Sequence, residues 1–213
     1  MDSGPTTAGA TLAPTPRRSQ AQRRHVTRTA LLDASIEVLV QRGSRGFTTT
    51  EVCRRANLSQ GSLFKHFTTK DDLLAAVVGA LFAQLRTEYE LRFDAIAPNE
   101  RSMSSALALL WEQMSDERLH AAFDLYTDAR TDPILQRSLQ PVVTSHVDNI
   151  FELGRDLLGE LGGTPDVGTR AVIELAILSM QGLMLNNMAA PDPAARQRLE
   201  ELLESLAPAL FGI

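Results

Sequence analysis

The chain has 213 residues, of which 44% are hydrophobic and 22% charged, with a single cysteine. This composition is typical of a globular protein with one large or two small domains. One cysteine excludes an internal disulfide framework and a Cys-rich zinc site, and it favours a cytoplasmic location. The first 24 residues contain no apolar run, so they lack the pattern of a secretory signal peptide.

Charge is distributed unevenly along the chain, whose formal net charge is −5. Residues 1–70 carry 11 Lys and Arg against 4 Asp and Glu, a net +7, whereas residues 71–213 carry 10 against 22, a net −12. A basic N-terminal part on an acidic body indicates a nucleic-acid binding face. The alternative is a basic, solvated surface with no function.

Apolar residues recur with helical spacing along almost the whole chain, which predicts an all-α fold without strands. Gly43 is expected to end the first helix, and Gly162-Gly163 and Pro191 to separate later ones. A helix over residues 70–96 would span about 40 Å, long enough to connect two domains. The predicted helices cover residues 26–42, 70–96, 102–114, 116–129, 133–139, 142–161, 167–189 and 194–210, with short helices between 48 and 67.

The segment 171–190 contains one charged residue, Glu174. A membrane span is not predicted, because dispersed polar residues leave only short apolar runs. Such a helix is expected to be buried on two sides, against its own core and against a partner, unless it simply closes the core of the monomer. The predicted residues of a dimer interface are Val172, Leu175, Ser179, Leu183, Leu199, Leu202, Leu206 and Leu210.

Residues 48–67 have the pattern of a helix-turn-helix, in which two short helices cross closely. Thr48 with Glu51, and Thr69 with Asp72, have the spacing of capping boxes, and Ser59 is a further N-cap candidate. Asn57 stands where the first helix must turn into the left-handed conformation. The apolar positions that would hold the two helices together are Val52, Cys53, Ala56, Leu58, Leu63 and Phe67.

The second short helix would present a polar and basic face to the major groove of double-stranded DNA. Gln60 can pair with adenine, and Lys65 with guanine or phosphate. Thr48, Thr49 and Lys70 lie at helix N-termini, which favour phosphate, although capping alone would also explain Thr48. The predicted DNA-binding residues are Thr48, Thr49, Ser59, Gln60, Gly61, Ser62, Phe64, Lys65, His66 and Lys70.

The stretch from Arg28 to Phe82 resembles the tetracycline-repressor (TetR) family in motif order and spacing. The resemblance is carried by Gly46-Phe47, Ala56-Asn57-Leu58-Ser59, Phe64-Lys65-His66-Phe67 and Thr69-Lys70-Asp71-Asp72-Leu73. It implies an all-helical homodimer whose N-terminal domains bind a pseudo-palindromic operator, usually to repress transcription. It also implies a larger C-terminal domain that dimerises through its last two helices and often holds an inducer pocket.

Three positions depart from the family pattern. Asn57 stands where the family usually has Gly, and Cys53 where it usually has Ala. Phe64 stands where the family usually has a Tyr that contacts phosphate through its hydroxyl, so we expect that contact to be missing. Cys53 is interpreted as a small buried hydrophobe, with a redox switch as the alternative.

The chain is therefore divided into a disordered basic arm (1–22), a helix-turn-helix domain (23–69) and a helical effector-binding and dimerisation domain (70–213). The arm and the start of the next domain hold basic residues that either contact the DNA backbone or minor groove, or belong to a solvated tail. These residues are Arg17, Arg18, Arg23 and Arg24.

Large or polar side chains on apolar helical faces of the C-terminal domain are candidate ligand contacts, with core packing as the alternative. His146 is either a hydrogen-bonded core histidine or a ligand contact. No metal pair, phosphate loop or catalytic carboxylate pair is found, so no metal, cofactor or enzyme activity is predicted. The candidates are Phe93, Met103, Trp111, Met114, Phe123, Tyr126, His146, Met180 and Met184.

These patterns and the resemblance lead to one principal hypothesis, a homodimeric repressor released by a small lipophilic effector that shifts the helix at 70–96. An activator or an effector-free regulator of the same fold would use the same DNA chemistry. A small all-α enzyme or ligand carrier is the alternative from another class. It would need a cluster of titratable side chains in the body, and the sequence shows none.

Overall fold

The computed structural model describes residues 19–163 and 168–211, with side chains described as far as residue 206. Within these ranges every regular element is a helix, as the sequence predicts. The elements are α1 (Gln20–Gly46), α2 (Thr49–Ala56), α3 (Gln60–Phe64), α4 (Lys70–Asp94), α5 (Met103–Met114), α6 (Glu117–Ala129), α7 (Pro133–Glu160), α8 (Thr169–Ala189) and α9 (Ala195–Phe211), with a 3₁₀ turn at Pro98–Glu100.

The helices α1, α2 and α3 with the start of α4 form an N-terminal head, residues 19–70. Its core is closed by the fully buried side chains of Leu31, Val38, Val52 and Leu63. Gly43 has a φ of +63°, which breaks the regular helix where the sequence predicts its end. The buried side chains of the head are continuous with the main core of the body.

The first helix begins at Gln20 rather than at residue 26, because Ser19 caps it. The Ser19 hydroxyl accepts a hydrogen bond from the Gln22 N–H at 3.2 Å, and the Gln22 side chain accepts one from the Ser19 N–H at 3.1 Å. This reciprocal capping box corrects the predicted disordered arm, since residues 20–22 are helical. Arg17 and Arg18 lie outside the described residues.

The helix α4 connects the head to the body, residues 71–211. Its 25 residues span about 37 Å. The predicted apolar face is buried along its length, from Leu73 and Leu74 next to the head to Phe82 and Leu85 further into the body. Any displacement of α4 in the body is therefore transmitted to the head through one continuous helix.

The two helices predicted at 133–139 and 142–161 are one helix, α7, with Pro141 in its interior. Proline inside a helix removes a backbone hydrogen bond and costs about 3 kcal/mol. Packing outweighs this cost, because Leu139 is buried on one side of Pro141 and Val142 and Val143 contact the core on the other. Tertiary contacts thus override the local signal that predicted a break.

The helix α8 is long and apolar enough to cross a membrane, with a mean hydropathy of 1.2, and only 11% of that segment is buried. Length and composition are weak evidence for a span, because a helix packed in a protein core can meet the same criteria, and Glu174 and Gln181 interrupt the apolar sequence. One side contacts α7 through Ile173 and the core through Ile177, while the other side is exposed. The start predicted for this helix at residue 167 lies outside the described residues.

Candidate nucleic-acid interface

The turn between α2 and α3 is built around Asn57. Asn57 has φ 53° and ψ 46°, and it is the non-glycine residue with positive φ among those described. The N–H of Leu58 donates to the Cys53 carbonyl at 2.9 Å, which closes the end of α2. The left-handed turn predicted at Asn57 is confirmed, and it aims α3 away from α2.

The apolar residues predicted to hold the two helices together are in the head core. Val52, Cys53, Leu63 and Phe67 are buried, and Leu58 packs against them. Ala56, also partly buried, contacts the same cluster, so all members of the predicted set have the predicted role. This packing fixes the orientation of α3 relative to α2.

Side-chain caps begin α2, α3 and α4, at Thr48, Ser59 and Thr69. The box of Thr69 with Asp72 is reciprocal, as predicted. The box predicted for Thr48 with Glu51 is wrong in one half, because the Glu51 carboxylate is bonded to arginines instead of the Thr48 N–H.

The outer face of α3 and of the residues that follow it consists of exposed and half-buried side chains. Gly61 and Lys65 are exposed, and 49% of the Phe64 surface is accessible. The Gln60 side chain donates a hydrogen bond to the Thr50 hydroxyl at 2.9 Å, an arrangement that the sequence did not predict. The face therefore combines donors, acceptors and one exposed ring, without the tyrosine hydroxyl of the family pattern.

The predicted DNA-binding residues lie at the starts of three helices and along α3. Ser62 and His66 are half-buried, and Thr49 is also half-buried in the first turn of α2. Lys70 is exposed at the start of α4, with its ammonium 5.8 Å from the centre of the Phe47 ring.

Basic side chains of the head differ in whether an acidic partner holds them. Among the described residues of the head, three Arg form ion pairs, all with Glu51 or Glu37. The other six have no ion-pair partner within the described part of the chain. These are Arg23, Arg24, Arg28, Arg45, Lys65 and Lys70.

The start of α1 lies beside the end of α3. The Arg28 guanidinium is 5.1 Å from the centre of the Phe67 ring. Burial and the charges of Arg24 and Arg28 lower the pKa of His66, which favours its neutral form. Arg24, which the sequence predicts to contact DNA, and Arg28, which it does not, both lie near His66.

Glu51 gathers the paired arginines of the head. Its carboxylate lies 3.1 Å from Arg42, 2.6 Å from Arg54 and 3.8 Å from Arg55. Hydrogen bonding to Arg54, with the charges of the other two arginines, lowers the pKa of Glu51 to about 2. These arginines therefore keep an acidic partner at every pH near neutrality.

Cys53 is buried, and burial raises the pKa of its thiol. A raised pKa disfavours the thiolate, which is the reactive form of cysteine. This environment favours the interpretation of Cys53 as a small hydrophobe over that of a redox switch.

The body contains a large apolar cavity of about 850 Å³ between α4, α5, α7, α8 and α9. A smaller cavity of about 200 Å³ adjoins it. Of the nine candidate ligand residues, six line one cavity or both. These are Met103, Met114, His146 and Met180 for the large cavity, and Phe123, Tyr126 and again His146 for the small one.

The remaining three candidates line neither cavity. Phe93 is buried against Tyr89, and Trp111 lies beneath the Arg196 guanidinium. Met184 is buried in the main core. Their size and spacing alone did not distinguish core packing from a cavity wall.

The surface of α8 and α9 exposes a row of large apolar side chains. Leu175, Leu178 and Leu185 are 62%, 57% and 48% exposed, and Met188 and Leu202 are also exposed. Of the predicted dimer residues, three are exposed and Ser179 is half-buried. The exposed ones are Leu175, Leu202 and Leu206.

Three other predicted dimer residues pack within the protomer. Val172 contacts the small cluster around Leu158, while Leu183 and Leu199 contact the main core. The side chain of Leu210 lies outside the described residues. Leu178, which the sequence periodicity did not select, is exposed.

A basic head with a helix-turn-helix, joined by a long helix to a hollow helical body, defines a helix-turn-helix transcriptional regulator. The profile described as "Bacterial regulatory proteins, tetR family" matches residues 31–77. The profile described as "Tetracyclin repressor-like, C-terminal domain" matches residues 97–209. Since the second profile covers more than half of the chain, the protein belongs to the TetR family.

Two relatives that align over most of their length are HTH-type transcriptional regulators. An uncharacterized HTH-type transcriptional regulator of Mycobacterium tuberculosis is 26% identical over 192 residues, 90% of this chain and 98% of the relative. The HTH-type transcriptional regulator CymR of Pseudomonas putida is 26% identical over 189 residues, 89% of this chain and 91% of the relative.

Solved structures show the same fold. The multidrug binding protein EbrR complexed with ethidium aligns with a TM-score of 0.63 at 21% identity, over 84% of this chain and 97% of that chain. A TetR-family regulator from Rhodococcus sp. aligns with a TM-score of 0.66 at 20% identity, over 84% and 97%.

Proposed function

We propose that the protein is a homodimeric repressor that binds a pseudo-palindromic operator and is released by a small lipophilic effector. The observation that carries the proposal is the group of unpartnered cations around α3, which includes Lys65, Arg24 and Arg28. Phosphate contacts from such cations supply much of the affinity for DNA. Gln60 and Lys65 are the side chains proposed to read bases.

Dimerisation is proposed through the exposed face of α8 and α9. Leu175, Leu178, Gly182 and Leu185 follow one another at helical spacings of three or four residues, so they share one stripe. A Cβ built on Gly182 meets nothing within 4 Å, so the stripe has an open centre where a second helix can approach. Apolar patches of this kind mark interaction sites, and a two-fold axis would pair the stripe with itself.

Effector release is proposed to act through α4. Phe82, Leu85 and Arg86 of α4 line the large cavity, while the same helix begins at Lys70, the last residue of the head. A ligand that prefers one position of α4 would change the separation of the two α3 helices in a dimer. The ethidium complex of EbrR supports a ligand site in this fold.

Operator binding implies a cytoplasmic location and a regulatory rather than an enzymatic role. The relatives named above are transcriptional regulators. Among the described residues no three His, Cys, Asp or Glu side chains form a metal-binding group.

The test is binding of the purified protein to the DNA flanking its own gene at increasing salt. Lys65→Ala should weaken binding and reduce the salt slope by about 0.9 for each phosphate that the lysine neutralises in the wild type. Gln60→Ala should cost about 1–3 kcal/mol at the preferred base and relax the sequence preference.

Arg137→Ala provides the matched control, because Arg137 is an exposed cation of the body without an acidic partner among the described residues. It should leave both affinity and slope unchanged. If Lys65→Ala and Gln60→Ala bind DNA as tightly as the wild type and with the same salt slope, α3 is not the helix that contacts the bases.

A further inference from the structure

The two cavities of the body share one wall. Residues that line both include Phe82, Ile150, Ile173 and Ile177, which are apolar. The polar members of this shared wall are His146 and Gln181. A ligand in either chamber therefore meets the same two polar side chains.

His146 and Gln181 lack hydrogen-bond partners in the described part of the chain. Both residues line the two cavities, and no fully buried side-chain N or O atom is unpaired among the described residues, so the free groups of these residues are accessible. Polar groups facing an apolar space gain free energy when a ligand supplies the missing hydrogen bond. Their positions therefore mark where a polar group of a ligand would be held.

The His146 ring is held in a defined orientation. It stacks on Phe82 with ring centres 3.5 Å apart and planes at 5°. Burial lowers the pKa of His146 to about 4, so the ring is neutral near pH 7 and offers one donor and one acceptor. Gln181 adds an amide with both kinds of group.

The large cavity offers no unpaired charge to a ligand among its described lining residues. Its Arg86 is bonded to Glu90 at 2.7 Å. In the small cavity, Arg170 pairs with Asp148 at 2.9 Å, and Glu174 is exposed to solvent. A charged ligand buried in the large cavity would lose its hydration without gaining a counter-charge.

The cavity is also long. Its lining residues along α7 run from Pro141 to Leu161, the residue that follows the helix, a distance of roughly 30 Å at 1.5 Å per residue. Such a space favours an extended molecule over a single ring.

We propose that the cavity takes a neutral, extended and largely apolar molecule whose hydrogen-bonding group is engaged by His146 and Gln181. The proposal rests on the cavity being the effector site of the proposed function. Phe82 lies on α4, and its ring is stacked on His146. A ligand that contacts this ring pair would therefore contact the helix that connects the body to the head.

The ligand class is tested by displacement of N-phenyl-1-naphthylamine, a neutral dye whose fluorescence rises in apolar sites, from the full-length protein without DNA. The competitors are 1-decanol, decanoate and decylammonium, which share a chain and differ in the charge of the head group. We expect 1-decanol to displace the dye at concentrations at least tenfold lower than either ion. Equal or better displacement by decanoate or decylammonium would overturn the proposal. Displacement by decylammonium would indicate that Glu174 binds the ammonium group.

The polar pair is tested with Gln181→Met and His146→Phe, which keep side-chain size and, at position 146, the stacked ring. Each should weaken 1-decanol about 3- to 10-fold, the usual effect of removing one hydrogen bond. Gln136→Met, an exposed substitution on α7, should have no effect. If both cavity variants keep their affinity for 1-decanol within twofold, His146 and Gln181 do not bind its hydroxyl group. If His146→Phe does not fold, the result for Gln181→Met alone decides the test.

Operator release is measured separately with the same competitors. If 1-decanol binds as expected but leaves the protein on DNA, the effector role fails while the ligand class stands. If the ions release the operator and 1-decanol does not, the ligand class fails while the effector role stands.

Discussion

The head and the body use their basic side chains in different ways. Within the described residues, six of the nine Lys and Arg of 19–70 have no ion-pair partner, whereas eight of the ten Arg of 71–211 have one. In the body, pairs such as Arg118 with Glu88 join neighbouring helices. Cations without partners in the head remain available to an external polyanion.

The two regions differ in packing as well. The head core is closed around fully buried side chains such as Leu63, while the body surrounds a cavity of about 850 Å³. A closed core keeps α3 in a fixed orientation. A hollow body can respond to a ligand, because its helices are held less firmly in one position.

The largest expected effect comes from separating two copies of the body while the head remains intact. Leu178→Glu places a charge on the exposed stripe of α8. In a two-fold dimer, each protomer would then bury one such charge in the interface. We expect sedimentation to change from dimer to monomer. Operator affinity should fall about 10²- to 10⁴-fold, since two linked half-site contacts become independent.

The control for this change is Gln136→Glu, which adds the same charge to an exposed position of α7. It should remain dimeric. A dimeric Leu178→Glu protein would show that the α8 stripe is not the interface.

The contrast in packing is tested by truncating one leucine in each region. Leu63 is 0% exposed in the closed head core, and Leu107 is 6% exposed on the cavity wall. We expect Leu63→Ala to lower the free energy of unfolding by about 3 kcal/mol and Leu107→Ala by about 1–2 kcal/mol. Leu107 already faces empty space, so its truncation removes less van der Waals attraction.

Urea denaturation at one fixed protein concentration measures both values, because dimer stability depends on concentration. Equal losses would mean that the cavity wall is packed as tightly as the head.

The smallest expected effect comes from releasing the paired arginines of the head. Glu51→Gln removes the charge that holds Arg42, Arg54 and Arg55. Binding to non-specific DNA should tighten about threefold, and the salt slope should steepen by about 0.9 for each freed arginine that reaches a phosphate. Glu152→Gln, an exposed change in the body, should alter neither quantity.

Glu51→Gln should also differ from the wild type in its stability at acid pH. The folded-state pKa of Glu51, about 2, lies below its ordinary value of 4.5. The stabilisation it provides is therefore complete above about pH 4.5 and is lost as the pH falls towards 2. Wild-type protein should lose this part of its stability over that interval, whereas Glu51→Gln should not, and an identical acid denaturation profile would contradict the role of Glu51.

Local signals allowed much of the head to be predicted from the sequence. The left-handed turn at Asn57, the capping box at Thr69 and the buried set around Leu63 depend on neighbours within a few residues. Glu51 was assigned only in part, because its side chain could reach either the Thr48 N–H or three arginines. Arg42 comes from another helix, so local spacing could not decide between these partners.

The body was less predictable because its helices are apolar on more than one side. Periodicity predicted that α8 is buried on two sides, and it selected Val172 and Leu183 for the outer face, whereas Leu178 and Leu185 are the exposed side chains in the structure. Which face points inward depends on the positions of α5 and α7, and that information is not in the sequence of α8.

The sequence by itself determined the class of protein, because the helix-turn-helix and its basic surroundings depend on short-range spacing, caps and charge. The tertiary structure decided the continuity of α7 through Pro141, the exposed stripe of α8 and the chambers on either side of His146 and Gln181. Each of these depends on how distant helices pack. Packing energies between helices outweigh the local preferences from which a sequence is interpreted.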